Sequence, residues 1–82
     1  MTAEETATIH EYIASNDLFN DVEAITKRNW RGAGSRATYY NAVAKSKRGE
    51  EWNLVEWLMM MEAEKLVHLH RRHENKLAQQ AA

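Results

Sequence analysis

EEWNLVEWLMMMEAEKLVHLHRRHENKLAQQAA, residues 50–82, contains neither proline nor glycine. The spacing predicts one long helix over 50–79, reaching about 28 residues and roughly 42 Å at 1.5 Å per residue. A domain of this chain length has a radius of gyration of only about 12 Å, so such a helix overhangs its own core. Its main apolar stripe is Trp52, Val55, Met59, Leu66, Leu69 and Leu77, with Glu62 set inside it. Leu54, Trp57 and Met61 fall on nearly the opposite side of the helix. A helix apolar on two faces is either central to its fold or shared with a partner. The first arrangement wraps it with the other helices; the second makes Leu54, Trp57 and Met61 the interface of a homodimer. Glu50 and Glu51 are expected in the first turn, where the helix dipole favours negative charge.

Working back toward the N-terminus, the chain divides into three shorter helices. Thr2 and Glu5 have the spacing of a capping box, and Ile9, Tyr12 and Ile13 form the apolar stripe that follows it. Ser15-Asn16-Asp17 interrupts that helix, since these side chains compete for backbone hydrogen bonds. A second helix is expected over 18–30, burying Leu18, Phe19, Val22 and Ile25, with Trp30 closing the core at its end or, as the rival reading, stacking on a base or ribose. Gly32 and Gly34 stop it, and Ser35 caps a third helix over 36–47 that Gly49 ends. The whole reads as one all-α domain, residues 1–82, of four helices. Proline is absent and helix-forming residues are common, which suits that class.

Charge is distributed very unevenly over these helices. Residues 24–49 hold seven basic residues (Lys27, Arg28, Arg31, Arg36, Lys45, Lys47 and Arg48) and no acid. Residues 1–23 hold six acids and no Lys or Arg, and residues 50–82 hold six acids against four bases. The formal net charge of −1 thus conceals a basic block. Such a block suits a nucleic-acid backbone or an acidic protein surface. On the third helix, 100° per residue puts Ala37, Tyr40, Val43 and Ala44 on one face, expected inward. Thr38, Asn41, Ala42 and Lys45 share the other. That outer face suits a major groove: Asn reads adenine, Lys reaches guanine, and Thr or Ala touches a thymine methyl. Ser35 and Arg36 are placed to hold a phosphate. Read as a solvated face instead, Lys45, Lys47 and Arg48 complement the helix C-terminus, but that does not account for Lys27, Arg28, Arg31 or Arg36.

Gly34-Ser35-Arg36-Ala37-Thr38-Tyr39-Tyr40 resembles the turn and recognition-helix start of helix-turn-helix DNA-binding proteins such as resolvases, transposases and small repressors. The resemblance covers roughly residues 18–47. It departs from the family pattern in a turn of about five residues and in Gly34, where the family usually has a buried aliphatic residue. It implies a small, duplex-binding regulator of transcription with the third helix in the major groove. Small cysteine-free helical chains also resemble the accessory proteins of phages and mobile elements. An adaptor or inhibitor docking on an acidic protein partner is therefore the rival expectation.

Other chemistries find little support. With no cysteine, disulfides and thiolate metal sites are excluded. The absence of a basic-then-apolar leader and of a long apolar run points to a cytoplasmic protein that does not enter membranes. The run Gly32-Ala33-Gly34-Ser35 follows no strand and precedes no Gly-Lys-Ser/Thr, so it is not a phosphate loop. His70 and His73 are three apart, but Arg71 and Arg72 disfavour a cation between them and His68 points elsewhere. No nucleophile–base constellation is present, so neither an enzyme nor a cofactor or metal site is expected.

Overall fold

The computed structural model describes residues 1–31 and 34–81. Four helices follow one another: α1 (Ala3–Ser15), α2 (Phe19–Asn29), α3 (Arg36–Arg48) and α4 (Leu54–Ala81). There is no strand among the described residues. The protein is thus a small all-α, four-helix domain. α4 is the central element: α1, α2 and α3 all pack on it, and α1 also packs on α3. At 28 residues it sets the long dimension of a body measuring 44 × 28 × 17 Å.

The helix ends follow from local chemistry. Thr2 Oγ1 accepts from the Glu5 N–H at 3.0 Å and lies 3.2 Å from Glu5 Oε1, fixing the start of α1. Ser35 Oγ accepts from the Thr38 N–H at 3.3 Å at the start of α3. Gly49 closes α3 with φ +72°, a left-handed conformation that glycine adopts without a Cβ clash. α2 ends at Asn29, and Arg31 turns the chain with φ +48°. Gly32, expected to help end α2, lies outside the described residues.

α4 starts later than expected. Glu50 and Glu51 lie in the connector, and Asn53 is the capping residue. The Glu56 N–H donates to Asn53 Oδ1 at 2.9 Å, and the Asn53 N–H donates to Glu56 Oε1 at 2.8 Å. This reciprocal pair satisfies two backbone donors at once, which a start at Glu50 would forgo.

The core joins Ile9 and Ile13 of α1, Val22 of α2, Tyr39, Ala42 and Val43 of α3, and Met59, Met60, Ala63 and Val67 of α4. Tyr39, Met59 and Met60 are fully buried; each contributes on the order of 1.5–3 kcal/mol by leaving water. Two expected faces are rotated. On α3 the inward face is Tyr39, Ala42 and Val43, whereas Tyr40 and Ala37 are exposed. One step along a helix is 100°, so burying Tyr39 against α1 carries Tyr40 outward. On α4 the inward face is Glu56, Met59, Met60, Ala63 and Val67, which leaves Leu69 exposed, and Leu77 is exposed with the rest of residues 71–81. Leu54, Trp57 and Met61 are all exposed as well.

Candidate nucleic-acid interface

The candidate residues come from the last turn of α2, the chain that follows it, and α3. Lys27, Arg28 and Arg31 are all exposed. Lys27 sits 3.5 Å from Glu23 one turn earlier, a loose pair between partly solvated groups. Arg36 opens α3: its Nη2 donates to Asn20 Oδ1 at 2.9 Å and its guanidinium lies 4.7 Å from the centre of the Phe19 ring. Phe19 stacks on Tyr40, with ring centres 5.2 Å apart and planes 18° apart. Arg36, Phe19 and Tyr40 therefore form one exposed cation–aromatic column where α2 meets α3.

Gly34 leads into that column with φ +87°. A Cβ placed there would lie 2.6 Å from Met59 Cε and 3.0 Å from Thr26 Cγ2. Met59 of α4 thus fills the space that a side chain at position 34 would need. Ser35 Oγ is spent on the cap, and it also meets Thr38 Oγ1 at 3.3 Å, so the half-buried Thr38 leans back on the turn.

Along α3 the expected reading face changes in membership. Asn41 is exposed, as expected. Ala42 is completely buried, and Ala37 takes its place as a small exposed neighbour of Asn41. Lys45 is turned toward α4, where its Nζ donates to Glu56 Oε1 at 2.8 Å. Burial alone would raise the Glu56 carboxyl pKa, but the Lys45 ammonium and the Asn53 N–H hold it below the usual carboxylate range. Lys45 is thereby committed to a buried anion. Arg48 is paired with Glu50 through two hydrogen bonds, at 2.8 and 3.0 Å, which lower the Glu50 carboxyl pKa. Lys47 is exposed and has no ion-pair partner among the described residues.

Two of the seven cations are therefore neutralised by acids that lie just past the basic block. The connector and the start of α4 fold back over the end of α3 and bring Glu50 and Glu56 to it. The signal for Glu56 was present in the sequence, since Asn53-x-x-Glu56 has capping spacing.

Behind the column lies His10 of α1, which sequence reasoning passed over. Its Nδ1 is 2.9 Å from the Tyr39 hydroxyl, and its ring meets Tyr40 edge-on at 6.3 Å. Burial and nearby Lys47 lower the His10 pKa. Burial and Tyr40 raise that of Tyr39, which stays a neutral phenol. In the Nε2–H tautomer, His10 Nδ1 accepts from the Tyr39 hydroxyl.

Trp30, expected in the core, is 41% exposed; its indole N–H donates to Glu62 Oε1 at 3.4 Å. That contact, with Asn29 Nδ2 at 3.5 Å, explains how an acid sits within the α4 core stripe. His70 is hydrogen bonded through Nδ1 to the Tyr12 hydroxyl at 2.8 Å. No group of three metal-ligating side chains converges among the described residues. No helix among them is long and apolar enough to cross a membrane. No protein-family model matches the chain, and no match was found among curated proteins or solved structures.

Proposed function

We propose that this protein is a small duplex-DNA-binding regulator that engages the phosphate backbone through the end of α2 and reads bases through the outer face of α3. The observation that carries the reading is a set of exposed cations on consecutive elements. Lys27, Arg28, Arg31, Arg36 and Lys47 face solvent, within a stretch of sequence that contains no acid. Phosphate contacts from such side chains supply affinity without sequence preference. Asn41, flanked by the small Ala37 and half-buried Ala44, is the exposed side chain on α3 suited to bidentate base recognition. Lys45 and Arg48 are excluded from direct contact in this reading by their acidic partners. The protein acts as a dimer, since Leu54, Trp57 and Met61 leave an apolar row on the side of α4 away from the core.

A second reading rests on the Arg36–Phe19–Tyr40 column. Tyr40 is 50% exposed, and an exposed Tyr beside an Arg is the composition of a protein-binding hot spot. In that reading the same surface docks an acidic protein partner, as an adaptor or inhibitor would. Fluorescence anisotropy of a labelled random duplex at two salt concentrations separates the two. Binding at low salt that weakens at high salt supports the DNA reading. Absence of binding by micromolar protein at low salt overturns it and leaves the adaptor.

A further inference from the structure

We infer that two copies of the chain pair through α4 in antiparallel register, about a two-fold axis passing between Trp57 and Met61. The inference rests on the dimer in the reading above and adds its polarity and register.

At 100° per residue, Leu54, Trp57, Met61, Lys65, His68 and Arg72 fall within about 80° of one another on α4. The core residues Met59, Met60, Ala63 and Val67 lie opposite, and all six residues of the outer row are exposed. The row has two parts. Its first half is apolar: Leu54 is 73% exposed, Trp57 41% and Met61 42%. Its remainder is basic. The Trp57 ring is held edge-on by Trp52, with centres 4.9 Å apart and planes at 82°, and Trp52 is itself anchored by its N–H to the Ala42 carbonyl at 2.8 Å. Trp57 is thus a large apolar group fixed in place while exposed, so covering it costs little side-chain entropy.

The ends of the row decide what covers it. Before the apolar part lie Glu50 and Glu51, which line the same cleft as Trp57. After it come Lys65, His68 and Arg72. Glu50 is engaged by Arg48, whereas Glu51 has no ion-pair partner among the described residues. Lys65 is 61% exposed and lies 3.6 Å from Glu62 of its own helix. Glu64 borders the row and lines, with His68, a cleft against Glu4 and Glu5 of α1. A parallel pair would set Lys65 against Lys65 and Glu51 against Glu51. An antiparallel pair sets Trp57 on the partner's Met61, Leu54 on the partner's Lys65 stem, and Glu51 near the partner's Lys65 and His68. The row is therefore complementary to its own reverse, which is what a two-fold axis perpendicular to the helices requires.

The chain has no cysteine, so single introduced thiols report position cleanly. Leu54→Cys and Lys65→Cys, both at exposed positions, are treated separately and mixed with a short bismaleimide. The antiparallel register puts the two Leu54 positions about 15 Å apart along the axis and the two Lys65 positions about 18 Å apart. It puts Leu54 level with the partner's Lys65. The expected product is a cross-linked dimer in the mixture and none from either variant alone. Self-cross-linking of each single variant overturns the register in favour of a parallel pair. A sedimentation coefficient of a monomer for the wild type at tens of micromolar overturns self-association altogether and leaves the row to a different protein. Lys65→Glu is expected to raise the dimer dissociation constant about fivefold, because two pairs per dimer become repulsive. Adding Glu51→Lys to the same chain restores it. A Lys65→Glu dimer as tight as wild type contradicts the charge argument. Duplex binding is measured in parallel, so a monomer that still binds DNA refutes the pairing and spares the DNA reading.

Discussion

Lys45→Ala separates a structural cation from a DNA-contacting one. The substitution strands the Glu56 carboxylate, whose side chain is only 3% exposed, while the Asn53 N–H remains to it. Breaking a fully buried ion pair costs about 3–5 kcal/mol and breaking an exposed one about 0–1. Here the lysine is 28% exposed and one hydrogen bond to the carboxylate survives, so the loss is placed between those limits at about 2 kcal/mol. For a domain of this size that lowers Tm by about 10 °C. The assay is thermal melting by circular dichroism at neutral pH, with Lys45→Met to retain the aliphatic stem and Glu56→Gln to remove the charge. The double variant Lys45→Met/Glu56→Gln should lose less than the sum of the two single changes. Acid supplies a second readout. Because the folded Glu56 pKa lies below its unfolded value of about 4.5, its contribution is complete above that value and fades as pH falls through the folded pKa. Without Lys45, burial dominates and Glu56 takes up its proton at higher pH, so the gap between wild type and variant narrows in acid. A Lys45→Ala variant that melts within 2 °C of wild type (about 0.5 kcal/mol or less), with reduced DNA affinity, would refute this reasoning and return Lys45 to the DNA-binding surface.

Asn41→Ala removes an exposed side chain and should leave Tm unchanged; at a preferred site it should cost about 1–3 kcal/mol of affinity with little effect on random duplex, as read by anisotropy. Gly34→Ala must hold a Cβ at φ +87° against Met59 and Thr26, so it should destabilise by about 3 kcal/mol in a urea melt. His10 titrates below its unfolded value of about 6.5. The stability it protects is therefore present above pH 6.5 and is lost as pH falls through the folded pKa. His10→Gln should flatten that part of the pH–stability curve, and an unchanged curve would mean that burial and Lys47 do not disfavour the charged ring.

Helix number and the ends marked by Thr2, Ser35 and Gly49 were legible because each depends on residues within four positions of one another. The exposed Leu54–Trp57–Met61 row was legible for the same reason: it follows from spacing along one helix. The inward face of α3 was not, because 100° steps allow either Tyr39 or Tyr40 to lead. The choice was made by α1, α2 and α4, which offer Tyr39 a site between His10, Phe19 and the core. The basic block was over-read for a comparable reason. A count along the chain stops at Gly49, while the connector folds back and sets Glu50 and Glu56 against Arg48 and Lys45. Asn53 as the true start of α4 was available as a capping pattern, and it also locates the buried Glu56. Trp30 was misplaced because Glu62, a buried acid about two turns into α4, supplies its indole with a hydrogen-bond partner while the ring stays 41% exposed.

The central claim is that Lys27, Arg28, Arg31, Arg36 and Lys47 bind DNA phosphates, and the salt dependence of wild-type binding to duplex DNA measures it most directly. With four or five phosphates neutralised, log K should fall linearly against log[salt] with a slope of about −4. A slope near zero, or no binding at the lowest salt, would contradict the account.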